Sequence, residues 1–248
     1  MSYLRTSDYS DSHHSWAILA LLMRFIHQYW PDTRIVLRGD SHFCRPRMLN
    51  WCDRHHVDYI VGIGKNSRLL KEVDVPMMLV RKTQWQVGGK VAETFRFPYQ
   101  AHSWKYPRWV VARLEESELG SNPRFIISSR YDDGFKLYYE QYCARGDMEN
   151  RIKDQQLSLF ADRTSSTHWW ANQWRLILSG FAYTLFERLR TYLKKTPFER
   201  MSPSNLRLKL IKVGAVIIRN TRRIRVLMSD SYPYKAQLSD LVRRLVPN

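Results

Sequence analysis

The chain has 248 residues, of which 44% are hydrophobic and 13% are aromatic, so it is long enough and apolar enough to bury a core. This composition excludes an intrinsically disordered protein. Lys and Arg total 40 against 23 Asp and Glu, and the formal charge of +17 predicts a polyanionic partner: DNA, RNA or an acidic membrane surface. A basic protein without such a partner is the alternative.

The cysteines and the apolar runs indicate the compartment. Cys44, Cys52 and Cys143 are an odd number without a paired framework, which suits a reducing cytosol. Cys44 and Cys52 do not have zinc-ribbon spacing, so they predict no metal site. The apolar run 17–26 is too short to span a bilayer, and the N-terminus lacks a signal-peptide pattern. We therefore expect a cytoplasmic protein without a membrane span.

The first quarter of the chain has the pattern of a β-α-β unit. Apolar residues at helical spacing predict a helix over 14–30. The runs 34–40 and 58–64 are apolar and short, as in buried strands, and the segment 45–56 between them reads as a helix with Pro46 near its start. This order, without a tight hairpin, predicts two parallel strands joined by a crossover helix.

The rest of the chain changes from strands to helices. Gly, Pro and Ser turns separate three strand-like segments and predict an antiparallel meander between about 90 and 130. From Gly134 onward the pattern predicts, in chain order, helices over roughly 135–160 and 167–194, a short helix over 206–212, a hairpin in 215–229 and a terminal helix over 233–245.

One stripe of the helix predicted over 135–160 carries unexpected charge. At about 100° per residue, five side chains fall within an arc of about 80°: Tyr142, Arg145, Glu149, Lys153 and Gln156. Phe135 and Tyr138 extend the stripe and give it the character of a core face. Charge in such a place is costly unless it is paired or bound to a metal. The alternative is a solvated face with ordinary i,i+4 pairs, each worth about 0.2–0.5 kcal/mol.

Asp40 ends the buried apolar run 34–40. Ligands of open α/β sheets lie outside the carboxyl ends of the strands, so a carboxylate there is well placed for chemistry. The alternative is an Asp that caps the helix after it. Together, Asp40 and Glu149 suggest a carboxylate cluster for Mg²⁺, which prefers oxygen ligands. Two such ions would clamp the attacking and leaving oxygens of a phosphoryl transfer.

The basic C-terminal segment suits phosphate contact. Residues 202–248 hold ten Lys and Arg against two Asp and Glu, a net charge of +8. Four arginines lie in the predicted hairpin: Arg219, Arg222, Arg223 and Arg225. Such contacts give affinity for DNA without sequence specificity, and the alternative is a solvated strand face. Trp104 and Trp109 are candidates for stacking on an unpaired base, although core or turn aromatics are the commoner case.

These segments resemble a known enzyme family. Tyr142-x-x-Arg145-x-x-x-Glu149 resembles the Tyr-Arg-Glu signature of DDE transposases from bacterial insertion sequences, in the branch with a β-rich insertion in an RNase H-like core. "VLRGDSHF" resembles the strand segment that carries this family's second aspartate, and the basic ending is also similar. The resemblance implies metal-dependent DNA cleavage and strand transfer.

The resemblance assigns roles by position. Asp40 matches the second catalytic Asp and Glu149 the catalytic Glu, and both would bind Mg²⁺ or Mn²⁺ in a two-metal mechanism. Tyr142 and Arg145 match a DNA-contacting pair. The family's signature lysine would fall at Gln156, so Lys153, one turn after Glu149, is a substitute candidate for DNA contact.

The family's first aspartate has no counterpart that we assign. It lies on the first strand of the RNase H-like sheet, and Asp8 and Asp11 stand in a loop-like stretch, so neither is promoted to that role. The resemblance therefore implies an N-terminally truncated, inactive copy that lacks the first strands. Their loss would expose the edge of the Asp40 strand, which is an aggregation hazard.

We therefore expect an α/β fold: a partial RNase H-like core, an antiparallel β insertion and a helical C-terminal part. The expected divisions are 1–64 for the partial core, 65–133 for the insertion, 134–200 for the core helices and 201–248 for the basic segment. The expected partner is double-stranded DNA, at transposon ends and target, which implies association with the bacterial nucleoid, and the resemblance also allows a homodimer on DNA. A non-catalytic DNA-binding remnant and another RNase H-like nuclease are the alternative functions.

Overall fold

A computed structural model describes residues 3–4 and 14–245. Asp8 and Asp11 lie outside the described residues. The helices are α1 (Ser15–Tyr29), α2 (Pro46–Arg54), α3 (Ser67–Glu72), α4 (Asp74–Val87), α5 (Gly146–Lys153), α6 (Trp169–Tyr192), α7 (Pro203–Leu206) and α8 (Lys235–Leu245). The strands are β1 (Val36–Gly39), β2 (Asp58–Ile63), β3 (Val91–Tyr99), β4 (Arg108–Ser117), β5 (Gly120–Ser121), β6 (Arg124–Ser128), β7 (Ala215–Arg219) and β8 (Ile224–Met228).

A mixed sheet is built from strands between residues 36 and 128. Its order is β1-β2-β6-β4-β3, with β5 paired to β4. β1 and β2 run parallel, with Val36 opposite Asp58, and α2 connects them. This confirms the predicted β-α-β unit. The other pairs are antiparallel, so the predicted meander extends the sheet that carries Asp40. Within the described residues, β1 pairs with β2 alone and forms one edge of the sheet.

The central strands are buried on both faces because the sheet is covered on each side. Tyr59 and Val61 of β2 point into a large core that includes residues of α1, α2 and α4, whereas Ile60 points into a smaller core with Leu137 and Tyr138. The unbroken burial of β2 from residue 59 to 62 explains its continuous apolar sequence.

The chain divides into two compact units by its contacts. The first is Ser7–Asp147 and contains the mixed sheet; the second is Met148–Asn248 together with Met1–Thr6. The second unit has its own core, built from five buried residues: Leu193, Phe198, Leu206, Leu210 and Leu241. The four-part division predicted from the sequence stays a prediction.

Two helices, α3 and α4, were not predicted. Several large apolar residues of α4 are exposed, including Val75, Met78, Leu79 and Trp85, so its apolar residues do not mark a single buried face. None of the helices within residues 3–4 and 14–245 combines the length and apolar character needed to cross a membrane.

Candidate functional site

Asp40 follows β1 directly and begins a short 3-10 turn, Ser41–Phe43. Its Oδ1 accepts a hydrogen bond from the backbone N–H of His42 at 3.0 Å, and the Nδ1 atom of His42 lies 3.2 Å from the same oxygen. The capping role considered for Asp40 is therefore present. The side chain is still 40% exposed, and capping uses only one of its two oxygens.

Arg145 lies beside the second oxygen of Asp40. Its Nη1 atom is 3.5 Å from Asp40 Oδ2, and the guanidinium side chain is 29% exposed. The strand end and the signature segment, far apart in the sequence, thus meet inside the first unit. An exposed ion pair at this distance adds little stability, about 0–1 kcal/mol, so its interest lies in chemistry rather than in folding.

Tyr142 lies between the ends of β1 and β2. A Cβ atom at Gly62 would be only 2.6 Å from the Tyr142 hydroxyl, so the glycine makes room for this oxygen. Burial raises the pKa of Tyr142, while Arg145 lowers it and Asp40 raises it. The Arg145 guanidinium lies 5.7 Å from the centre of the Tyr142 ring. Arg38 ties the segment to β1, since its Nη1 donates to the Gln141 carbonyl at 2.8 Å.

The signature segment is helical but irregular. It runs as a π-helix over Lys136–Tyr142, a 3-10 turn over Cys143–Arg145, then α5, and a second π-helix over Asp154–Ser158. π-turns are rare and occur frequently at functional sites. Because they close i→i+5 bonds, a projection that assumes α-helical spacing does not follow the segment over its length.

The predicted core-facing stripe is accordingly wrong at both ends. Tyr138 is buried, and Tyr142 and Arg145 are half-buried, as the stripe required. The remaining members are exposed: Phe135, Glu149, Lys153 and Gln156. Asp40 belongs to the first unit and Glu149 to the second. The pairing of these two carboxylates stays a prediction.

The donor set at Asp40 fits one ligand of a hard divalent cation. Carboxylate oxygens suit Mg²⁺, which usually binds through one or two carboxylates and substrate phosphate. Over residues 3–4 and 14–245, no group of three or more His, Cys, Asp and Glu is arranged to hold a metal. A metal ion at Asp40 would therefore need further oxygen ligands.

The basic hairpin is present. β7 and β8 pair antiparallel, and the Asn220 carboxamide closes the turn by accepting from the backbone N–H groups of Arg222 and Arg223. The register places Arg219 and Arg225 on opposite faces, with the other two arginines at the tip. All four side chains are exposed, which is the arrangement that phosphate contact requires.

The two candidate stacking tryptophans differ. Trp104 is buried, and its ring lies edge-on to Tyr99, so it is a core residue. Trp109 is 39% exposed and packs edge-on against Tyr131, with Arg96 over both rings. Only Trp109 keeps a surface that a base can reach.

Two features of the site region escaped prediction from the sequence. Gly62 carried no turn signal, because its role depends on a side chain that arrives from another element. The guanidinium of Arg38 contacts the signature segment through a backbone carbonyl, which leaves no trace in the sequence of its partner.

Comparison with models of protein families assigns the chain to a family. A search of curated proteins gave no significant match. The model of the family described as transposase DDE domain group 1 matches residues 1–248. Since the match covers the whole of the sequence, the chain belongs to this transposase family.

Proposed function

We propose that this chain is a DDE-type transposase of a bacterial insertion sequence, in which Asp40 and Glu149 serve metal-dependent DNA cleavage and strand transfer. The observation that carries the proposal is the ion pair between Asp40 at the end of β1 and Arg145 of the signature segment, at 3.5 Å. Family membership implies a DNA substrate and a divalent metal. Capping and a single surface ion pair would not require Tyr142 to converge on the same strand end.

Asp40 and Glu149 would hold Mg²⁺ or Mn²⁺ through their carboxylate oxygens. Two such ions, when bound, activate the attacking oxygen and stabilise the leaving oxygen of an in-line displacement. Arg145 neutralises Asp40 in this structure, and a DNA phosphate offers its guanidinium a second, bidentate partner. Tyr142 would position the strand beside it with its hydroxyl, since that oxygen lies at the junction of β1 and β2.

The DNA backbone would be held by the exposed cations Lys153, Arg219, Arg222, Arg223 and Arg225. These contacts neutralise phosphates and carry no sequence information. A homodimer on DNA and association with the nucleoid follow from the same proposal, as does a cytoplasmic location.

Without a third carboxylate at a family-matched position, the 248 residues are expected to bind DNA without cutting it. Two of the family's three acidic positions are matched here, by Asp40 and Glu149. Two-metal chemistry depends on carboxylates on both sides of the two metal ions. A non-catalytic DNA-binding remnant is therefore the second candidate function. It is favoured by the exposed hairpin arginines, which do not depend on the metal site.

The test is cleavage of DNA that carries the element's own ends, with Mg²⁺ or Mn²⁺. The chain is compared with a version extended upstream by the family's first strands and first aspartate. We expect specific end cleavage by the extended version alone, and its loss in Asp40→Ala and Glu149→Ala variants of that version. Cleavage by the 248-residue chain that Glu149→Ala abolishes would contradict the inactive copy. Unchanged cleavage in both Ala variants would contradict the assigned carboxylates.

A further inference from the structure

Helix α6 exposes large apolar side chains and buries polar ones, the reverse of an ordinary surface helix. The residues it buries are polar: Asn172, Gln173 and Ser179. Five large apolar side chains are exposed instead: Trp170 (77%), Trp174 (58%), Leu178 (48%), Phe181 (64%) and Leu185 (71%). A surface helix normally turns its apolar stripe toward a core, and a large contiguous apolar patch marks an interaction site.

The buried polar side of α6 is satisfied within the second unit. Asn172 exchanges hydrogen bonds with the backbone of Ser166, at 3.0 and 2.8 Å. Gln173 accepts from the backbone N–H of Leu4 at 2.7 Å. The orientation of the helix is therefore fixed by specific contacts, and its apolar stripe is presented outward by them.

The exposed stripe has the heptad spacing of a coiled coil. The a and d positions of one register are Ala171, Trp174, Leu178, Phe181, Leu185 and Arg188, and all six are exposed. Steps of three and four residues bring such positions onto one seam, where side chains of a facing helix interlock. A partner that matches this stripe is therefore itself a helix with the same spacing.

The stripe is also complementary to itself. When a second copy of α6 runs antiparallel, with a two-fold axis between Ser179 and Gly180, Trp174 faces Leu185 and Leu178 faces Phe181. The same operation places Arg188 opposite Ala171, a small residue that leaves space for the guanidinium. A two-fold interface requires this reciprocity: if residue i contacts residue j of the second copy, residue j contacts residue i of the second copy.

Charge selects the antiparallel orientation. The exposed cations beside the stripe are Arg175 and Arg188. In the antiparallel pair, Arg188 faces Ala171, and Arg175 lies at the edge of the seam away from its own copy, so no arginine faces an arginine. In a parallel pair Arg188 would face its own copy across the seam, which is destabilising. Arg188 also comes next to the partner copy's tryptophan faces, and a guanidinium is attracted to such faces.

The available area suits a specific dimer of moderate strength. Aromatic side chains bury about 150–250 Å² each, so the exposed parts of the three aromatic residues supply roughly 400 Å² per copy. With the leucines and the flanking positions, two copies bury roughly 1,000–1,400 Å², near the lower end of specific protein–protein interfaces.

We propose that α6 is a homodimer interface, in which the stripe Trp174–Leu178–Phe181–Leu185 packs antiparallel against the same stripe of a second copy. The proposal rests on the proposed function only in that it names the surface by which a DNA-bound dimer forms. The dimer itself does not need DNA, because the stripe is apolar.

The first test measures the mass of the chain by sedimentation or light scattering over a concentration series without DNA. We expect a dimer for the wild type and at least tenfold weaker association for Phe181→Lys, which places a charge in two layers of the interface. Phe181 is exposed in the single chain, so this variant should keep its fold, checked by circular dichroism. The matched control is Trp85→Lys, an exposed apolar residue of α4, which should dimerise like the wild type.

The second test fixes the orientation. Chains with Trp174→Cys and chains with Leu185→Cys, differently tagged and both carrying Cys143→Ser to remove the exposed native thiol, are mixed and oxidised. An antiparallel pair gives a disulfide between the two kinds of chain. Identical Trp174→Cys chains should not cross-link, because their cysteines would be about 16 Å apart along the helices.

A wild-type chain that stays monomeric, a Phe181→Lys variant that dimerises normally, or cross-linking of identical Trp174→Cys chains would each overturn the proposed interface. DNA binding is measured on the same samples. A dimer that does not bind DNA upholds the interface and contradicts the proposed function. A monomer that binds DNA contradicts the interface and upholds the proposed DNA binding.

Discussion

At the scale of single residues, the geometry around Asp40 depends on the absence of a side chain at Gly62. An added Cβ would meet the Tyr142 hydroxyl at 2.6 Å and the Ser41 backbone nitrogen at 3.2 Å. The first contact is with the end of a side chain and the second is with backbone. Gly62 therefore lets the hydroxyl of the signature tyrosine reach the junction of β1 and β2.

Gly62→Ala should lower the free energy of unfolding by about 1–3 kcal/mol, the usual cost of overpacking. Removal of the clashing oxygen should relieve part of this cost, so Gly62→Ala should cost less in a Tyr142→Phe background than in the wild type. The measurement is chemical denaturation of the two single variants and the double variant. Gly64→Ala is the matched control, because its Cβ meets no atom within 4 Å. Equal costs in both backgrounds would show that the hydroxyl does not occupy this space.

Glu115 on β4 makes the stability of the first unit depend on pH in the acidic range. Its carboxylate accepts a hydrogen bond from Lys90 at 2.6 Å, and it also pairs with Arg113 and Asn122. The Lys90 ammonium, followed by Arg113, lowers the pKa of Glu115 from 4.5 to about 2. A carboxyl group with a lower pKa in the folded state stabilises the fold above its unfolded pKa, and this contribution is lost as the pH falls toward the folded value.

Glu115→Gln should therefore destabilise the chain near neutral pH, and the difference from the wild type should shrink between pH 4.5 and about 2. Denaturation midpoints across this pH range measure the effect. The exposed Glu118 provides the control, since Glu118→Gln removes the same charge without touching the contacts of Glu115 with Lys90 and Arg113. A difference between Glu115→Gln and the wild type that stays constant down to pH 2 would contradict the assigned pKa.

At the scale of secondary-structure elements, the hairpin of β7 and β8 combines apolar strands with basic residues at and near its turn. Its strand residues are exposed on both faces, with Ile217 at 69% on one face and Val216 at 64% on the other. Two-stranded hairpins are only marginally stable by themselves, so packing against another surface would stabilise this one. The arginines at the turn make a DNA backbone the surface that its charge fits best.

Replacement of Arg222, Arg223 and Arg225 by Gln should weaken binding to duplex DNA without changing sequence preference. Each lost phosphate contact should flatten the plot of log affinity against log salt by about 0.9. Titrations at several salt concentrations give this slope. Replacement of Lys71, Lys82 and Lys105, which are exposed in the first unit, removes the same charge and serves as the control. An equal loss of slope in both triple variants would assign binding to the overall charge rather than to the hairpin.

The elements that the sequence predicts well are those with one dominant local signal. β1, β2 and α2 follow from short apolar runs and Pro46, and the meander follows from its turns. The position of β6 between β2 and β4 could not be predicted, because strand pairing depends on contacts far apart in the sequence. The π-turns of the signature segment also escaped, since they keep the composition of an α-helix and change only its hydrogen bonds.

The candidate site could be predicted from the sequence only in part. The family signature assigns Tyr142 and Arg145 to DNA contact, and in the structure both lie near Asp40. The pairing of Asp40 with Glu149 stays a prediction. The close approach at Gly62 and the hydrogen bond from Arg38 to the Gln141 carbonyl could not be predicted without the folded structure. Both depend on tertiary distances that neither composition nor spacing encodes.

At the scale of the whole molecule, the proposed function consists of DNA binding and DNA cleavage, which depend on different residues. The formal charge of +17 and the exposed arginines favour DNA binding, which depends only on phosphate neutralisation. Cleavage depends on a complete set of carboxylates, of which only Asp40 and Glu149 have family-matched positions. Binding should therefore survive where cleavage does not.

We therefore expect the 248-residue chain to inhibit an active member of the same family on shared DNA ends. Added in excess, it should lower end cleavage by the active enzyme because it occupies the ends without cutting them. The extent of inhibition, measured by the yield of cut DNA at rising chain concentration, should fall as salt rises. The variant with Arg222, Arg223 and Arg225 replaced by Gln should inhibit less, whereas Asp40→Ala should inhibit as well as the wild type, since occupancy does not need the carboxylate. Inhibition that disappears with Asp40→Ala but persists in the arginine variant would show that the metal site, and not the basic hairpin, holds the DNA.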